Sequence, residues 1–404
     1  TNFNTAKVTD MKLLFANCSA LESLDLSMFN TENVTSMPSM FNGATNLKTL
    51  NVSNFNTEKV NNMGHMFANC PNLTSLDLSS FNTKGVEYVD NIFKNCSNLT
   101  TIYASENFAF GSGLKNGADM FLGCDKLKGF IEYNKNTDKN NSEFANYKTG
   151  YFTKLVGKNG DEKIGAVGEI LTAENLTLND DKDFVAYEPF AAKAASYSRT
   201  INTIWATLCL PFEVSLDNQN FRAFKLLSAD DATETVELEE VKTIEAGTPV
   251  IIKMKDGETQ LKFSVANKAI AKDVQTAETA NGNYQLQGLY TQKEFSKDAD
   301  NNCYIVKGNK LMNPAKLLEN SKVTKVASKP FRAYMVDNSS APTAGAKMFS
   351  IGFDNDSTTA IDSLNTIAND KAEYYDLQGK RLNEPQKGIN IVKRNGKTMK
   401  VIIK

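Results

Sequence analysis

Met66-Phe67-Ala68-Asn69-Cys70-Pro71-Asn72-Leu73-Thr74-Ser75-Leu76-Asp77-Leu78-Ser79-Ser80-Phe81-Asn82-Thr83 is one copy of a pattern that the chain repeats. Its closing Phe-Asn-Thr triplet stands at Phe3, Phe29, Phe55 and Phe81, so the period is 26 residues. In the same frame fall Phe15, Phe41, Phe67 and Phe93, then Leu21, Leu47, Leu73 and Leu99, then Leu24, Leu50, Leu76 and Ile102. Self-similarity at such a period marks a repeat architecture, in which no single copy buries its apolar side alone. A further copy, Met120-Phe121-Leu122-Gly123-Cys124, arrives two residues late and reads as the last, irregular one.

Within each copy, Leu21-x-x-Leu24-x-Leu26 has the apolar spacing of a short strand entered through a turn. After it, Thr31 precedes Val34, Met37, Met40 and Phe41, a helical spacing behind an N-cap residue. The reading predicts strand, turn, short helix, turn, with Thr5, Thr31, Thr57 and Thr83 as N-caps. Cys18, Cys70, Cys96 and Cys124 share one position with Ala44, so they are expected as reduced thiols buried in the core. Tyr147 to Phe152 is expected to cover the end of the array.

The quoted stretch resembles the BspA-type bacterial leucine-rich repeat, in a long variant also seen in mycoplasma surface lipoproteins, over roughly residues 1 to 133. The resemblance implies an exported, cell-surface protein of an adhesin-like class. Trp205 to Phe212, Glu245 to Pro249 and Pro330 to Tyr334 are similar to segments of exported proteins from Bacteroidetes-type bacteria. Tyr374 to Arg381, Lys387 to Val392 and Val401 to Lys404 resemble the end of a type IX secretion sorting domain, shorter than the family's and with Asn390 where an aromatic is common. The alternative for this tail is a small three-stranded β-appendage.

From about Gly157 the period is lost. Segments such as Pro249 to Lys253, Leu261 to Val265 and Phe331 to Val336 are β-like, and turns such as Asp256-Gly257 separate them, which favours antiparallel pairing. The expected architecture is therefore multidomain, α/β plus all-β. A leucine-rich-repeat solenoid with its cap takes residues 1–155, an antiparallel β-sandwich-like domain 156–356, and a linker with a small C-terminal β-module 357–404.

The 45 basic residues nearly balance the 47 acidic ones, so no net field draws the 404-residue chain to nucleic acid or an anionic membrane. Its longest apolar run, Ile204 to Phe212, is too short for a membrane span and contains a Pro. Because Thr1 falls inside the repeat, an export signal is expected ahead of the sequence given. The single histidine, His65, has Ser39 and Asn91 as repeat equivalents and reads as a surface residue; it makes triads and multi-histidine metal sites unpromising. Asp180-Asp181-Lys182-Asp183 and Asp354-Asn355-Asp356 offer oxygen ligands suited to calcium, but neither matches an EF-hand loop and both read as solvated turns. No Gly-rich phosphate loop is present, and no cofactor is expected.

The residues between the core leucines should point outward from the strands and form columns. These are Ser23, Thr49, Ser75 and Thr101; Asp25, Asn51, Asp77 and Tyr103; and Ser27, Ser53, Ser79 and Ser105. The first two columns are the candidate ligand-binding platform of a non-enzymatic surface protein, whose partner would be a host or neighbouring-cell protein or glycan. The alternatives are a carbohydrate-binding surface protein and, more distantly, a glycoside hydrolase with a carboxylate pair in the β-region.

Overall fold

A computed structural model describes residues 3–137, 139–230, 233–320, 322–339, 348–351, 373–376, 380–382, 388–394 and 397–403. The chain forms two compact bodies, Thr1–Phe349 and Ser350–Lys404.

The first body is nearly all β. The expected α/β solenoid is not what forms, since no helix occurs among the described residues of the repeats, and the expected strands are short: Ser23–Asp25, Thr49–Asn51, Ser75–Leu78 and Thr101–Ala104. The first pair and the second pair each run parallel and in register at the 26-residue offset. Two left-handed residues per repeat exclude the helix. One column is Leu13, Ser39, His65 and Asn91, with φ of 58°, 54°, 58° and 55°. The other is Asn17, Gly43, Asn69 and Asn95, with φ of 56°, 77°, 56° and 61°. An α-helix holds every residue near φ −63°, so a left-handed residue at each fourth place breaks it within one turn.

Instead, alternate N–H groups of this segment donate to the next repeat. Met37, Ser39, Phe41 and Gly43 donate to the carbonyls of Asn62, Gly64, Met66 and Ala68 at 3.0, 2.9, 2.9 and 3.0 Å. The threonines are not N-caps either. Thr31 Oγ1 donates to the Asn56 carbonyl at 3.0 Å and accepts from its N–H at 2.7 Å, so it ties one repeat to the next; Thr5 and Thr57 do the same.

The apolar side chains make one core. Phe15, Phe41, Phe67, Phe93 and Phe121 form a column of near-parallel rings with centroids 5.6, 5.6, 5.8 and 5.8 Å apart. Tyr151 and Phe152 are fully buried against Phe121, and Thr153 exchanges backbone hydrogen bonds with Ile102 and Ala104, so this segment closes the array at its C-terminal side.

The region after the array is not the sandwich expected. Ten strands make one sheet in the order Trp205–Leu208, Val250–Met254, Phe221–Asp230, Thr235–Val241, Phe349–Ser350, Lys310–Met312, Cys303–Lys307, Ala333–Asp337, Tyr284–Gly288, Thr276–Glu278. The sheet curls until its first strand meets its eighth, where Thr207 Oγ1 donates to the Ala333 carbonyl and accepts from its N–H at 3.0 and 2.9 Å. A three-stranded sheet shares the core of the curl. Its central strand Phe190–Thr200 is antiparallel to Gln260–Ile270 and parallel to Thr172–Leu178. The only α-helix among the described residues is Pro314–Leu318. In the second body, Arg381–Leu382, Glu373–Tyr375, Gly388–Arg394 and Lys397–Ile403 form an antiparallel sheet in that order, four strands where three were expected.

Candidate functional site

The parallel register of the strands brings the predicted columns together. Ser23 stands beside Thr49, Asp25 beside Asn51, Ser75 beside Thr101 and Asp77 beside Tyr103. The side chains satisfy one another along the first two repeats, with Thr49 Oγ1 donating to Ser23 Oγ at 2.8 Å and Asn51 Nδ2 to Asp25 Oδ1 at 2.9 Å. Asp25 also accepts from the Ser27 N–H at 2.9 Å, and this backbone hydrogen bond leads the causes that hold its carboxyl below the usual range. Ser23, Asp25, Thr49 and Asn51 are all exposed.

In the other two repeats Ser75 is exposed, whereas the Asp77 and Tyr103 pair is covered. Lys163, on the strand Glu162–Ala166, forms an ion pair with Asp77, and its ammonium lies 5.4 Å from the centre of the Tyr103 ring. Asp77 and Tyr103 are half-buried. Burial alone would raise the Asp77 carboxyl, but hydrogen bonds from Lys163 and Ser79 outweigh it and the carboxyl stays low. Gly165 lets this strand come close, since a Cβ there would lie 2.3 Å from Thr153 Cγ2 and 3.1 Å from Tyr103 Cε1. Nothing in the spacing of the repeats signals Lys163, which stands 86 residues beyond Asp77.

His65 occupies a left-handed position on the surface, its Nδ1 3.6 Å from Asp90 Oδ2, too far for a hydrogen bond. Cys70, which the sequence places near it, is buried with its thiol donating to the Phe41 carbonyl at 3.2 Å; burial pushes the thiol up to about 11, the reverse of what an activated nucleophile needs. Cys96 and Cys124 repeat that geometry with Phe67 and Phe93 at 3.1 Å each. Cys18 is the exception to the expected burial and is exposed.

The acidic run in the β-region is a turn, as expected, with Asp181 and Asp183 exposed and Asp180 half-buried, and it also ties distant segments together. Arg332 grips Asp180 with two hydrogen bonds, 2.6 and 2.8 Å, Tyr197 also donates to Asp180, and Lys329 pairs with Asp181. Asp183 Oδ1 accepts from the Gln292 N–H at 2.6 Å. Through these contacts the run joins distant segments, and among the described residues no three His, Cys, Asp or Glu side chains gather as metal ligands. Asp354-Asn355-Asp356 and the linker Ser357-Thr358-Thr359 lie outside the described residues.

Residues 1–105 match the model of a family described as Mycoplasma protein of unknown function, DUF285, to which this part of the chain is similar. No curated protein and no solved structure matches the chain. No helix among the described residues is long and apolar enough to cross a membrane.

Proposed function

We propose that the chain is an exported or cell-surface binding protein without catalytic activity, whose exposed strand face in the first two repeats receives a protein partner. The observation that carries this is the register itself. Four parallel strands put small polar side chains in columns, and Ser23, Asp25, Thr49 and Asn51 stand free of the module that covers Asp77 and Tyr103. The sequence resemblance of the repeats to BspA-type surface proteins supports the setting. Such a face has no large aromatic or Arg anchor, so each contact is weak and attachment gains strength from many copies on one surface.

The test is attachment of protein-coated beads to a panel of extracellular matrix proteins, with a glycan array beside it. Replacing Ser23, Asp25, Thr49 and Asn51 together with Ala should lower attachment to the matrix protein bound by at least about tenfold, which is 1.4 kcal/mol. Replacing Lys163 with Ala should not lower it. Undiminished attachment of the fourfold variant would move the site to the β-region after residue 157, and binding to glycans alone would favour the carbohydrate reading.

A further inference from the structure

The chain already seats one of its own segments on the strand face, and that contact shows what the uncovered part accepts. Thr153 pairs with Tyr103 in parallel, so it is the next member of the column Asp25, Asn51, Asp77 and Tyr103. From there the hairpin of Lys154–Asn159 and Glu162–Ala166 folds back over the column. Gly165 lies against Thr153 and Tyr103, and Lys163, two residues earlier, reaches Asp77 Oδ2. The other oxygen, Asp77 Oδ1, accepts from the Ser79 N–H at 3.0 Å, which fixes the carboxylate. Asp25, two repeats away in the column, is fixed by the same Asp-x-Ser turn. Its Oδ1 accepts from the Ser27 N–H and from Asn51 Nδ2 at 2.9 Å each, and no cation stands on its Oδ2 among the described residues. Asp77 has a repeat on either side and still turns Oδ2 to Lys163, so the available oxygen comes from the shared turn and not from the place of a repeat in the array.

We infer that the protein partner received by this face presents a lysine on an extended segment, its ammonium on Asp25 Oδ2 as that of Lys163 lies on Asp77. This rests on the reading of the strand face given above and names the chemistry of its partner. Charge selects the lysine, since Asp25 is an exposed carboxylate already oriented by the backbone. Shape selects the extended segment. Thr49, Asn51 and Ser75 are small and exposed, and make a floor that a strand can cross. The strand Glu162–Ala166 does so over the adjoining pair, with a glycine where the aromatic ring stands. Under that strand the Asp77 side chain is only 18% exposed, so an ion pair made in this way is partly sheltered from water and lies at the upper end of what surface pairs contribute.

The test uses beads coated with the full chain and an array of nine-residue peptides whose central residue is Lys, Nε-acetyl-lysine or Glu, with flanks drawn from Ser, Thr, Val and Gly. The beads should bind the Lys set at least about fivefold better than the acetyl-lysine set, the upper end for a surface ion pair. Asp25→Asn should abolish that preference. The variant keeps the turn, because Asn51 already accepts from the Ser53 N–H at 3.1 Å in the same column. Equal binding of the Lys and acetyl-lysine sets overturns the inference, and so does a preference for Lys that survives Asp25→Asn. Sedimentation showing dimers that Asp25→Asn dissolves would make a second copy of the chain the occupant and overturn the separate partner. The fourfold Ala variant keeps the two readings apart. If it loses attachment to matrix protein while the array shows no preference for Lys, the strand face stands and its cationic partner is overturned. If its attachment is undiminished, the reading of the face is overturned and the inference with it.

Discussion

Phe67 and Tyr197 are both fully buried aromatic residues, and they are held by contacts of different range. Phe67 lies between Phe41 and Phe93, one repeat away on each side, at 5.6 and 5.8 Å. Tyr197 packs on Phe263 and Phe331 at 6.4 and 5.2 Å and bonds to Asp180, which is itself held by Arg332, 152 residues further along the chain. A defect in the array therefore acts first on nearest neighbours, as in any structure built from stacked copies. A defect in the clasp releases several segments at once, because their closure entropy is offset by a few long-range contacts. Trp205, the only tryptophan, lies in the curled sheet, so its fluorescence follows one region while far-UV circular dichroism follows both.

The largest effect should come from Phe67→Ala, which opens a cavity between two stacked rings and should cost about 4 kcal/mol. Phe15→Ala, at the half-exposed end of the same column, should cost less than half of that. In urea, Phe67→Ala should move the circular dichroism midpoint and leave the Trp205 transition nearly in place. A common shift of both probes would show that the two regions unfold as one and would break the comparison.

Arg332→Ala is the counterpart in the β-region. It leaves Asp180 half-buried without its bidentate partner and Tyr197 with a weakened acceptor, and it should destabilise by about 3 kcal/mol. Here the Trp205 transition should move. Arg332→Lys should recover only part of the loss, since an ammonium cannot make the paired contact. Full recovery would mean that charge alone matters at this point.

Acid should separate the regions too. Burial works to raise the Asp180 carboxyl, but the hydrogen bonds from Arg332 and Tyr197 outweigh it and hold it below its ordinary value. A depressed carboxylate contributes stability that is fully present above the unfolded value, about 3.9, and is lost as pH falls through the lower folded value. Between about pH 5 and pH 2 the Trp205 midpoint should therefore fall, and in Asp180→Asn it should fall less. A steeper fall in the Asn variant would assign the acid sensitivity to other carboxylates.

The strands, the register of the columns and the closing segment around Tyr151 were legible because each recurs or abuts a recurring position. The helix was misread for a definable reason. Val34, Met37, Met40 and Phe41 have helical spacing, but the same repeats carry Asn17, Gly43, Asn69, Asn95 and Gly123 in one column, and Asn and Gly are the residues that tolerate a left-handed backbone. That column was the available signal against a helix. No comparable signal existed for the curled sheet or for Lys163 on the candidate platform, since Thr207 with Ala333, Asp180 with Arg332, and Lys163 with Asp77 join positions that share no period.

The smallest expected difference is the sharpest test of the array, because it compares one residue type at one repeat position. Thr57 Oγ1 donates to the Asn82 carbonyl at 2.9 Å and accepts from the Asn82 N–H at 2.8 Å. Thr83 is equally buried, yet its hydroxyl has no hydrogen-bond partner among the described residues. The late fifth repeat explains the difference. Phe108 stands where the next Asn would be, and its N–H goes to the Ser105 carbonyl at 3.1 Å. Valine keeps the shape of threonine and removes only the hydroxyl. Thr57→Val should leave two backbone groups of Asn82 without their partner and cost about 2 kcal/mol, with faster amide exchange at Asn82. Thr83→Val strands no such partner and should stay within about 0.5 kcal/mol of the unchanged protein, or stabilise it. Equal costs at the two positions would mean that the threonine column acts through packing alone, and the hydrogen-bonded tie between repeats would then not be what holds them in register.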